Sequence, residues 1–265
     1  MNATAIFPRL HLFEFEDQLW FPALLRDLAT DYLRFVQSVL RLDRPIIPIL
    51  AAALRSTGTR EILDLCSGGG GPAFSLQRAL GAACVPSHIT LTDRFPNRCA
   101  FQRTAEASRG QISFVAESID ARCVPPRLKG FRTIFNSFHH FRPSDAKRVL
   151  RDAVDAGQPI AVFEYPERSA LIIILTFCLT PFLVALATPF IGPFRWSRLL
   201  FTYVLPLVPV TCWWDGMVSH LRAYTVDELT ALASETAPPS YQHDAGMISL
   251  PGTPGHLTYL VVRPR

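Results

Sequence analysis

The stretch EILDLCSGGGGPAFSL, residues 61–76, joins an apolar run ending in Asp64 to four consecutive glycines. The apolar run predicts a short buried strand, and the amphipathic segment after Gly71 predicts a helix. A glycine turn between a strand and a helix lies where open α/β sheets bind their ligands. The stretch therefore predicts a strand–turn–helix unit with a ligand site at the turn.

The strand pattern recurs along the chain. Short β-like runs occupy 61–65, 88–92, 112–116, 132–136 and 159–164, and helix-like segments separate them. Alternation of this kind predicts a parallel sheet with helices on both faces. The sequence therefore belongs to the α/β class.

Composition limits the class of function. The chain has 265 residues and a net charge of +4, and its basic residues form no block that would follow nucleic-acid phosphates. The six cysteines form no CxxC pair and predict reduced thiols with no metal site. The N-terminus lacks the pattern of a signal peptide, which predicts a location on the cytoplasmic side. The Arg-, Ala- and Pro-rich composition is typical of a GC-rich genome, so we expect a bacterial source.

Two phosphate-binding interpretations of the glycine turn fit poorly. A P-loop needs Lys and Ser or Thr after its last glycine, whereas Pro72 and Ala73 follow here. A dinucleotide fingerprint matches only loosely, because four glycines in a row allow several registers. The ligand is therefore expected to lack a phosphate at this turn.

Three carboxylates follow successive strands and indicate another ligand. Asp64 ends the first strand, where it would repel a pyrophosphate but pair with an ammonium group. Asp93 ends the second strand, at the usual position for gripping a ribose diol. Asp120 follows the third strand and is placed to accept from an adenine amino group. An amine, a ribose and an adenine together describe S-adenosylmethionine.

Residues 60–165 resemble the class I S-adenosylmethionine-dependent methyltransferases. The segments that carry the resemblance are ILDLCSGGG, LTDRFPN, DARCVP and TIFNSFHHF, and residues 225–262 resemble the family's last helix and antiparallel strand pair. The resemblance implies a Rossmann-like three-layer sandwich whose mostly parallel seven-stranded sheet has an antiparallel last strand. It also implies methyl transfer from S-adenosyl-L-methionine.

The resemblance further implies which residues bind the cofactor. In the first two motifs they are Asp64, Cys66, Ser67, Gly68, Gly70, Asp93 and Arg94, and in the next two Asp120, Ala121 and Asn136. Cys66 departs from the family pattern, because it stands where the first glycine of the loop is expected.

Acid–base and substrate residues are expected beside the cofactor. His139 and His140 follow the fourth strand, and a neutral imidazole suits a general base near pH 7; the alternative is that they cap a helix or pack. Glu164 and Tyr165 end the fifth strand and are candidates to contact substrate. Residues of the N-terminal segment, namely Glu14, Asp17, Trp20 and Phe21, are candidates for a lid, or for an ordinary helix packed on the sheet. As part of such a lid, Trp20 and Phe21 are also candidates to contact substrate.

An uncharged insertion interrupts the α/β pattern. Residues 169–194 and 199–214 carry no charge, and the first run is long enough to cross a bilayer. A single crossing is excluded if both flanks belong to one sheet. We therefore expect a hairpin that dips into one leaflet, with Trp196, Trp213, Trp214, Arg195 and Arg198 at its interface. The alternative is an apolar cap buried on the domain or in a dimer.

These patterns divide the chain into four parts: an N-terminal helical lid (1–58), a cofactor-binding core (59–168), an apolar helical insertion (169–222) and a C-terminal helix and hairpin (223–265). The favoured function is methylation of a hydrophobic or lipid-like acceptor at the membrane surface, because an apolar wall predicts an apolar acceptor. One alternative is a soluble aromatic or natural-product substrate. The other is a non-catalytic, membrane-docked protein that binds the cofactor. The acceptor atom and the oligomeric state are left open.

Overall fold

The computed structural model describes residues 7–250 and 252–265. Its strands are β1 (Glu61–Leu65), β2 (His88–Asp93), β3 (Ile112–Ser118), β4 (Phe131–Phe135), β5 (Ile160–Glu164), β6 (Tyr241–Ser249) and β7 (His256–Pro264). They form one sheet in the order β3-β2-β1-β4-β5-β7-β6. β1 to β5 run parallel, and β7 is antiparallel to both β5 and β6. The predicted seven-stranded sheet with an antiparallel last strand is confirmed.

Helices cover both faces of the sheet. They are α1 (Ala23–Leu40), α2 (Ile46–Thr57), α3 (Ala73–Ala82), α4 (Arg98–Ala107), α5 (Pro143–Asp155), α6 (Ala170–Ala187), α7 (Trp196–Leu199), α8 (Leu207–Arg222) and α9 (Val226–Thr236). One apolar core joins α2, α3 and α4 to the sheet, and a second joins α5 and α9 to it. The result is the expected three-layer sandwich.

The strand order fixes where a ligand can bind. β1 pairs with β2 on one side and with β4 on the other, so the order of the strands reverses at β1. The carboxyl ends of parallel strands form a crevice at such a reversal, which is the usual binding position in open α/β sheets. The glycine turn follows β1 and therefore lies at this crevice.

A third apolar cluster attaches the insertion to the N-terminal helix. It joins Leu25 and Leu28 of α1 to Val184 of α6 and to Val208 and Cys212 of α8. Because β5 and β7 are neighbours, the chain that leaves the sheet after β5 must return to the same sheet. The expectation that both flanks of the insertion belong to one sheet is confirmed.

The insertion presents its apolar side chains outward. Val184 is the one fully buried side chain among the described residues of α6. The exposed large apolar side chains of this region include Phe177, Phe182, Leu186, Phe190, Phe194, Trp196 and Tyr203. The segment Ala170–Phe190 is long and apolar enough to cross a membrane. The outer side chains of α6 are thus not buried on this domain, and whether a membrane or a second copy covers them stays a prediction.

The expected place of Arg198 is also corrected. Arg198 is only 2% exposed, and it donates from Nη2 to the buried Asp31 carboxylate at 2.7 Å. A buried carboxylate needs a charged partner, and α1 supplies Asp31 at this position. Arg198 therefore ties the insertion to α1 instead of lying at its outer surface.

Candidate active site

A cavity of about 740 Å³ lies at the carboxyl end of the sheet. One wall, here called the floor, consists of the cavity-lining residues within 66–71, 93–97, 119–122 and 135–142. The opposite wall, here called the roof, consists of those within 11–42 and 176–222. The volume is within the range usual for small-molecule sites.

The glycine turn begins in a left-handed conformation. Cys66 has φ 57°, a value that favours glycine. The cysteine thus adopts the backbone shape that the resemblance associates with a glycine. Gly70 has φ 92°, and a Cβ there would lie 3.0 Å from Thr104 Oγ1. Cys66, Ser67 and Gly68 line the cavity, whereas Gly70 packs toward α4.

Asp64 was expected to face the ligand, but its side chain does not line the cavity. Its carboxylate is 1% exposed and accepts hydrogen bonds from Ser67 Oγ at 2.6 Å and Thr133 Oγ1 at 2.8 Å. Burial raises the pKa of Asp64 to about 7, although both hydroxyl donors oppose that rise. The role predicted for Asp64, pairing directly with an ammonium group, is therefore corrected to positioning the turn from beneath.

Asp93 supports the same turn from the cavity side. Its Oδ2 accepts from the Gly68 N–H at 2.7 Å and its Oδ1 from the Phe95 N–H at 2.6 Å. Burial raises the pKa of Asp93, and the two N–H donors partly offset that effect. Each oxygen still has a lone pair for a ligand hydroxyl. Arg94 lines the floor beside it.

The next two floor segments also line the cavity. Asp120 forms a bidentate pair with Arg122, whose Nε lies 2.9 Å from Oδ1, and this pairing lowers the pKa of Asp120. An adenine amino group would have to share the Asp120 oxygens with Arg122. Ala121 and Asn136 complete this part of the floor, and Asn136 has φ 53°.

His139 forms a carboxylate–imidazole dyad with Glu164. Its Nδ1 lies 2.5 Å from Glu164 Oε2, and both side chains are 1% exposed. The Glu164 carboxylate also accepts from the Phe138 N–H at 2.7 Å, which fixes its orientation. His139 Nε2 is buried without a hydrogen-bond partner among the described residues, and His139 lines the cavity. An ionised Glu164 fixes the proton on Nδ1 and leaves a lone pair on Nε2.

His140 has a different environment although it is the next residue. Its Nδ1 lies 2.8 Å from Asp17 Oδ1 and 2.9 Å from Glu14 Oε2. Burial by itself would lower the pKa of His140, but the two carboxylates raise it well above the usual value. The carboxylates of Glu14 and Asp17 oppose the neutral form of His140 that a general base needs, so the geometry favours His139 for that role.

A potential metal-ligand group also occurs here. Ligand atoms of Glu14, His139 and His140 lie within 4.8 Å of one another. Hydrogen bonds already join His140 Nδ1 to Glu14 and Asp17. His139 is bonded to Glu164 instead, so the hydrogen bonds of the described residues divide this group into two separate pairs.

The roof contributes two acidic residues that the sequence analysis missed. The Asp215 carboxylate accepts from the backbone N–H groups of Phe15 and Glu16 at 2.8 and 3.1 Å. Burial, with the neighbouring Asp215 charge, raises the pKa of Glu16 to about 8. Burial raises that of Asp215 to about 7. The sequence gives no signal for this pair, because about 200 residues separate Glu16 from Asp215 in the chain and only the fold brings them together.

The insertion turns polar side chains toward the cavity. Thr176 and Thr180 of α6 line it, as do Ser219 and His220 of α8. Thr176 Oγ1 lies 3.1 Å from His220 Nε2, so part of this wall is hydrogen-bonded. The predicted apolar wall is therefore wrong at the cavity, because the apolar side chains of α6 lie on its outer surface.

The four substrate candidates divide between the cavity and its surroundings. Tyr165 lines the cavity and donates to the Leu42 carbonyl at 3.0 Å. Glu164 lies behind His139. Phe21 is buried in the cluster that joins α1 to the insertion, and Trp20 is 67% exposed at the surface. A direct contact of Trp20 or Phe21 with substrate is therefore not supported by their placement.

No protein-family model matches this chain, and no curated protein matches it either. Among solved structures it is similar to an O-methyltransferase of neocarzinostatin biosynthesis in complex with S-adenosylmethionine and a naphthoic acid. Identity is 12%, the TM-score is 0.46, and the match covers 87% of this chain and 60% of the other.

Two further similar structures come from Burkholderia thailandensis and Synechocystis. An O-methyltransferase family protein from Burkholderia thailandensis is 14% identical with a TM-score of 0.44, covering 86% of this chain and 57% of that one. Magnesium protoporphyrin IX methyltransferase from Synechocystis, with bound S-adenosylhomocysteine, is 13% identical with a TM-score of 0.45, covering 86% and 87%. The chain thus spans about three fifths of the first two proteins.

Proposed function

We propose that this protein is a methyltransferase that uses S-adenosyl-L-methionine and methylates a hydroxyl group of a small molecule. The observation that carries this proposal is the His139–Glu164 dyad: its Nε2 has no hydrogen-bond partner among the described residues, and His139 lines the same cavity as the glycine turn. The order of the strands and the position of the turn at the strand reversal support it. A neutral dyad nitrogen facing a cofactor-sized cavity suits proton removal from an acceptor.

The floor residues fit the proposed cofactor. The left-handed turn at Cys66 and Gly68 brings backbone to the cavity surface, where a side chain would otherwise project. Asp93 would hold the two ribose hydroxyls with its remaining lone pairs, and Ala121 leaves space for a flat base. When bound, S-adenosylmethionine supplies a methyl group on a positively charged sulfur, which an acceptor lone pair displaces.

His139 supplies the base in this proposal. Its Nε2 accepts the hydroxyl proton of the acceptor while Glu164 stabilises the imidazolium that forms. The Phe138 N–H holds Glu164, so the ring keeps one orientation throughout. The same pattern of nucleophile, base and orienting carboxylate recurs in unrelated enzymes. His140 positions the N-terminal segment through its contacts with Glu14 and Asp17.

The acceptor class follows from the cavity wall. Thr176, Thr180 and Ser219 offer hydroxyls to the substrate side of the cavity. These groups favour an acceptor that carries several polar groups near its reacting hydroxyl. A soluble natural-product-like substrate therefore fits the interior at least as well as a lipid.

Action at a membrane surface is a second, separable part of the proposal. It is supported by the outer surface of α6, where Phe177, Phe182 and Leu186 are each more than half exposed. An exposed apolar surface of this extent marks a partner or membrane contact. The strands before and after the insertion belong to one sheet, so a single crossing is excluded and a helix lying in the interface is favoured.

Methyl-labelled S-adenosylmethionine tests the proposal. The purified full chain is incubated with a lipid extract and, separately, with an aqueous metabolite extract of its host, and label is counted in each product fraction. We expect labelled product with the unaltered protein and little or none with the variant His139→Asn. Label in the lipid fraction supports a membrane acceptor, and label in the aqueous fraction supports a soluble one. If no label appears in either fraction and the protein does not bind the cofactor, the methyltransferase assignment is contradicted.

A further inference from the structure

Four arginines surround one buried carboxylate where α1 meets the insertion. Asp31 is fully buried, and its oxygens lie 2.7 Å from Arg198, 3.6 Å from Arg34, 3.8 Å from Arg195 and 3.9 Å from Arg103. We call these four residues the arginine cluster. Arg198 Nη2 pairs with Asp31 Oδ2, whereas Asp31 Oδ1 has no hydrogen-bond partner among the described residues and faces Arg34 and Arg103 at the longer distances.

The other three guanidinium groups are available to a second anion. The side chains of Arg34, Arg195 and Arg103 are 33%, 21% and 37% exposed, whereas that of Arg198 is 3% exposed. Asp27 is a second carboxylate whose charge acts on Arg195 and Arg103. Four positive charges therefore face two negative ones.

The arginine cluster is continuous with the exposed apolar surface. Arg195 stands between Phe194 and Trp196, which are 63% and 77% exposed and whose rings lie 5.0 Å apart, edge to face. Arg34 donates to the carbonyl of Gly192 at 3.0 Å, which joins α1 to the same loop. Guanidinium groups beside exposed aromatic rings are typical of the boundary between lipid headgroups and acyl chains.

We propose that the arginine cluster binds the phosphate groups of anionic membrane lipids while Phe194, Trp196 and the outer surface of α6 enter the acyl region. Guanidinium groups bind phosphate through paired N–H donors, and three partly exposed ones on one surface can contact neighbouring headgroups. Charge complementarity and the adjoining apolar surface both favour a bilayer over a small soluble anion. The inference rests on the membrane-surface part of the proposed function and not on methyl transfer.

Vesicle sedimentation tests the inference without any cofactor. The full chain is mixed with vesicles of phosphatidylcholine alone or of phosphatidylcholine with phosphatidylglycerol, and bound protein is measured. We expect preferential binding to the anionic vesicles that weakens as salt is added. The double variant Arg34→Gln, Arg195→Gln should bind them about tenfold or more weakly. Arg148→Gln on α5 removes one exposed arginine as the matched control and should bind like the parent.

Salt dependence of the unaltered protein keeps the test informative if the double variant unfolds. Equal binding to both vesicle types, or unchanged binding by the folded double variant, would overturn the headgroup assignment. Stabilisation by inorganic pyrophosphate without vesicle binding would assign the cluster to a soluble phosphate ligand instead. A dimer in sedimentation analysis without vesicle binding would mean that a second copy covers this surface. Methyl transfer can succeed or fail independently of each outcome.

Discussion

The two walls of the cavity obtain their chemistry in different ways. The floor takes its groups from loops that directly follow strands, so that Asp93 and His139 occupy positions fixed by the sheet. The roof joins the N-terminal segment to α8, and Glu14, Asp17 and Arg222 form one ion network across it. The adjacent histidines divide between the walls: His139 pairs with Glu164 of the sheet and His140 with the roof. We infer that the floor performs the chemistry and that the roof depends on charge pairing for its position.

The largest expected effect separates the two histidines by activity. His139→Asn keeps a donor for Glu164 but removes the Nε2 lone pair, so we expect kcat to fall by about 10²- to 10⁴-fold. Cofactor affinity, measured by calorimetry, should change little. A variant that retains more than a tenth of the activity would contradict the assignment of His139 as the base.

The matching change at His140 should act on stability. His140→Asn removes a partner that Glu14 and Asp17 share, which leaves Arg222 as their remaining partner and the buried Glu14 less well compensated. We expect the free energy of unfolding to fall by about 2–4 kcal/mol, measured by urea denaturation. If this variant is as stable as the parent but loses activity as strongly as His139→Asn, the division between the walls is wrong.

Asp93→Asn tests the floor through the cofactor. The change keeps the shape of the side chain but weakens acceptance from the Gly68 and Phe95 N–H groups and from ligand hydroxyls. We expect the Kd for S-adenosylmethionine to rise by about 10- to 100-fold. Asp120→Asn is the comparison variant, and a smaller effect is expected because Arg122 already occupies its oxygens. The reverse order of effects would contradict this account of the floor.

The roof should make stability depend on pH. The folded-state pKa values of Glu16 and Asp215, about 8 and about 7, exceed the ordinary values of 4.5 and 3.8. The folded protein therefore holds protons that the unfolded chain has released, and stability falls as pH rises through this range. The raised pKa of His140 acts in the same direction. The pKa values of His11 and His220 are lowered to about 4 each, so these groups change the stability only below about pH 6.5, where the unfolded chain binds their protons.

Thermal denaturation checks this dependence. We expect Tm to fall by several degrees between about pH 7 and about pH 9, and Glu16→Gln should flatten the curve. Glu117→Gln changes an exposed glutamate outside the roof and serves as the control. A Tm that rises over this range would contradict the burial of these carboxyl groups.

The smallest expected effect concerns Trp20. This side chain lies outside both walls and is 67% exposed, so Trp20→Ala should change stability by about 0.5 kcal/mol or less. KM for the methyl acceptor should also stay the same. A clear rise in KM would mean that the N-terminal segment closes over the substrate when it binds.

Much of the fold and the floor could be predicted from local pattern. Strand–helix alternation identified the five parallel strands to within two residues, and the polar residues that follow parallel strands converge at one edge for geometric reasons. Local pattern could not show that Asp64 lies beneath the turn, because its side-chain direction depends on the hydroxyls of Ser67 and Thr133.

The sequence by itself determined the α/β class, the ligand crevice at the glycine turn and the presence of an uncharged insertion, because periodicity and turn residues act over short distances. Only the tertiary structure decided which histidine keeps a free nitrogen, which side of the insertion is polar and where Arg198 pairs. Those properties depend on contacts such as His140 with Asp17 and Arg198 with Asp31, between residues more than 100 positions apart. Burial and charge at such contacts depend on how the elements pack, which short-range pattern does not specify.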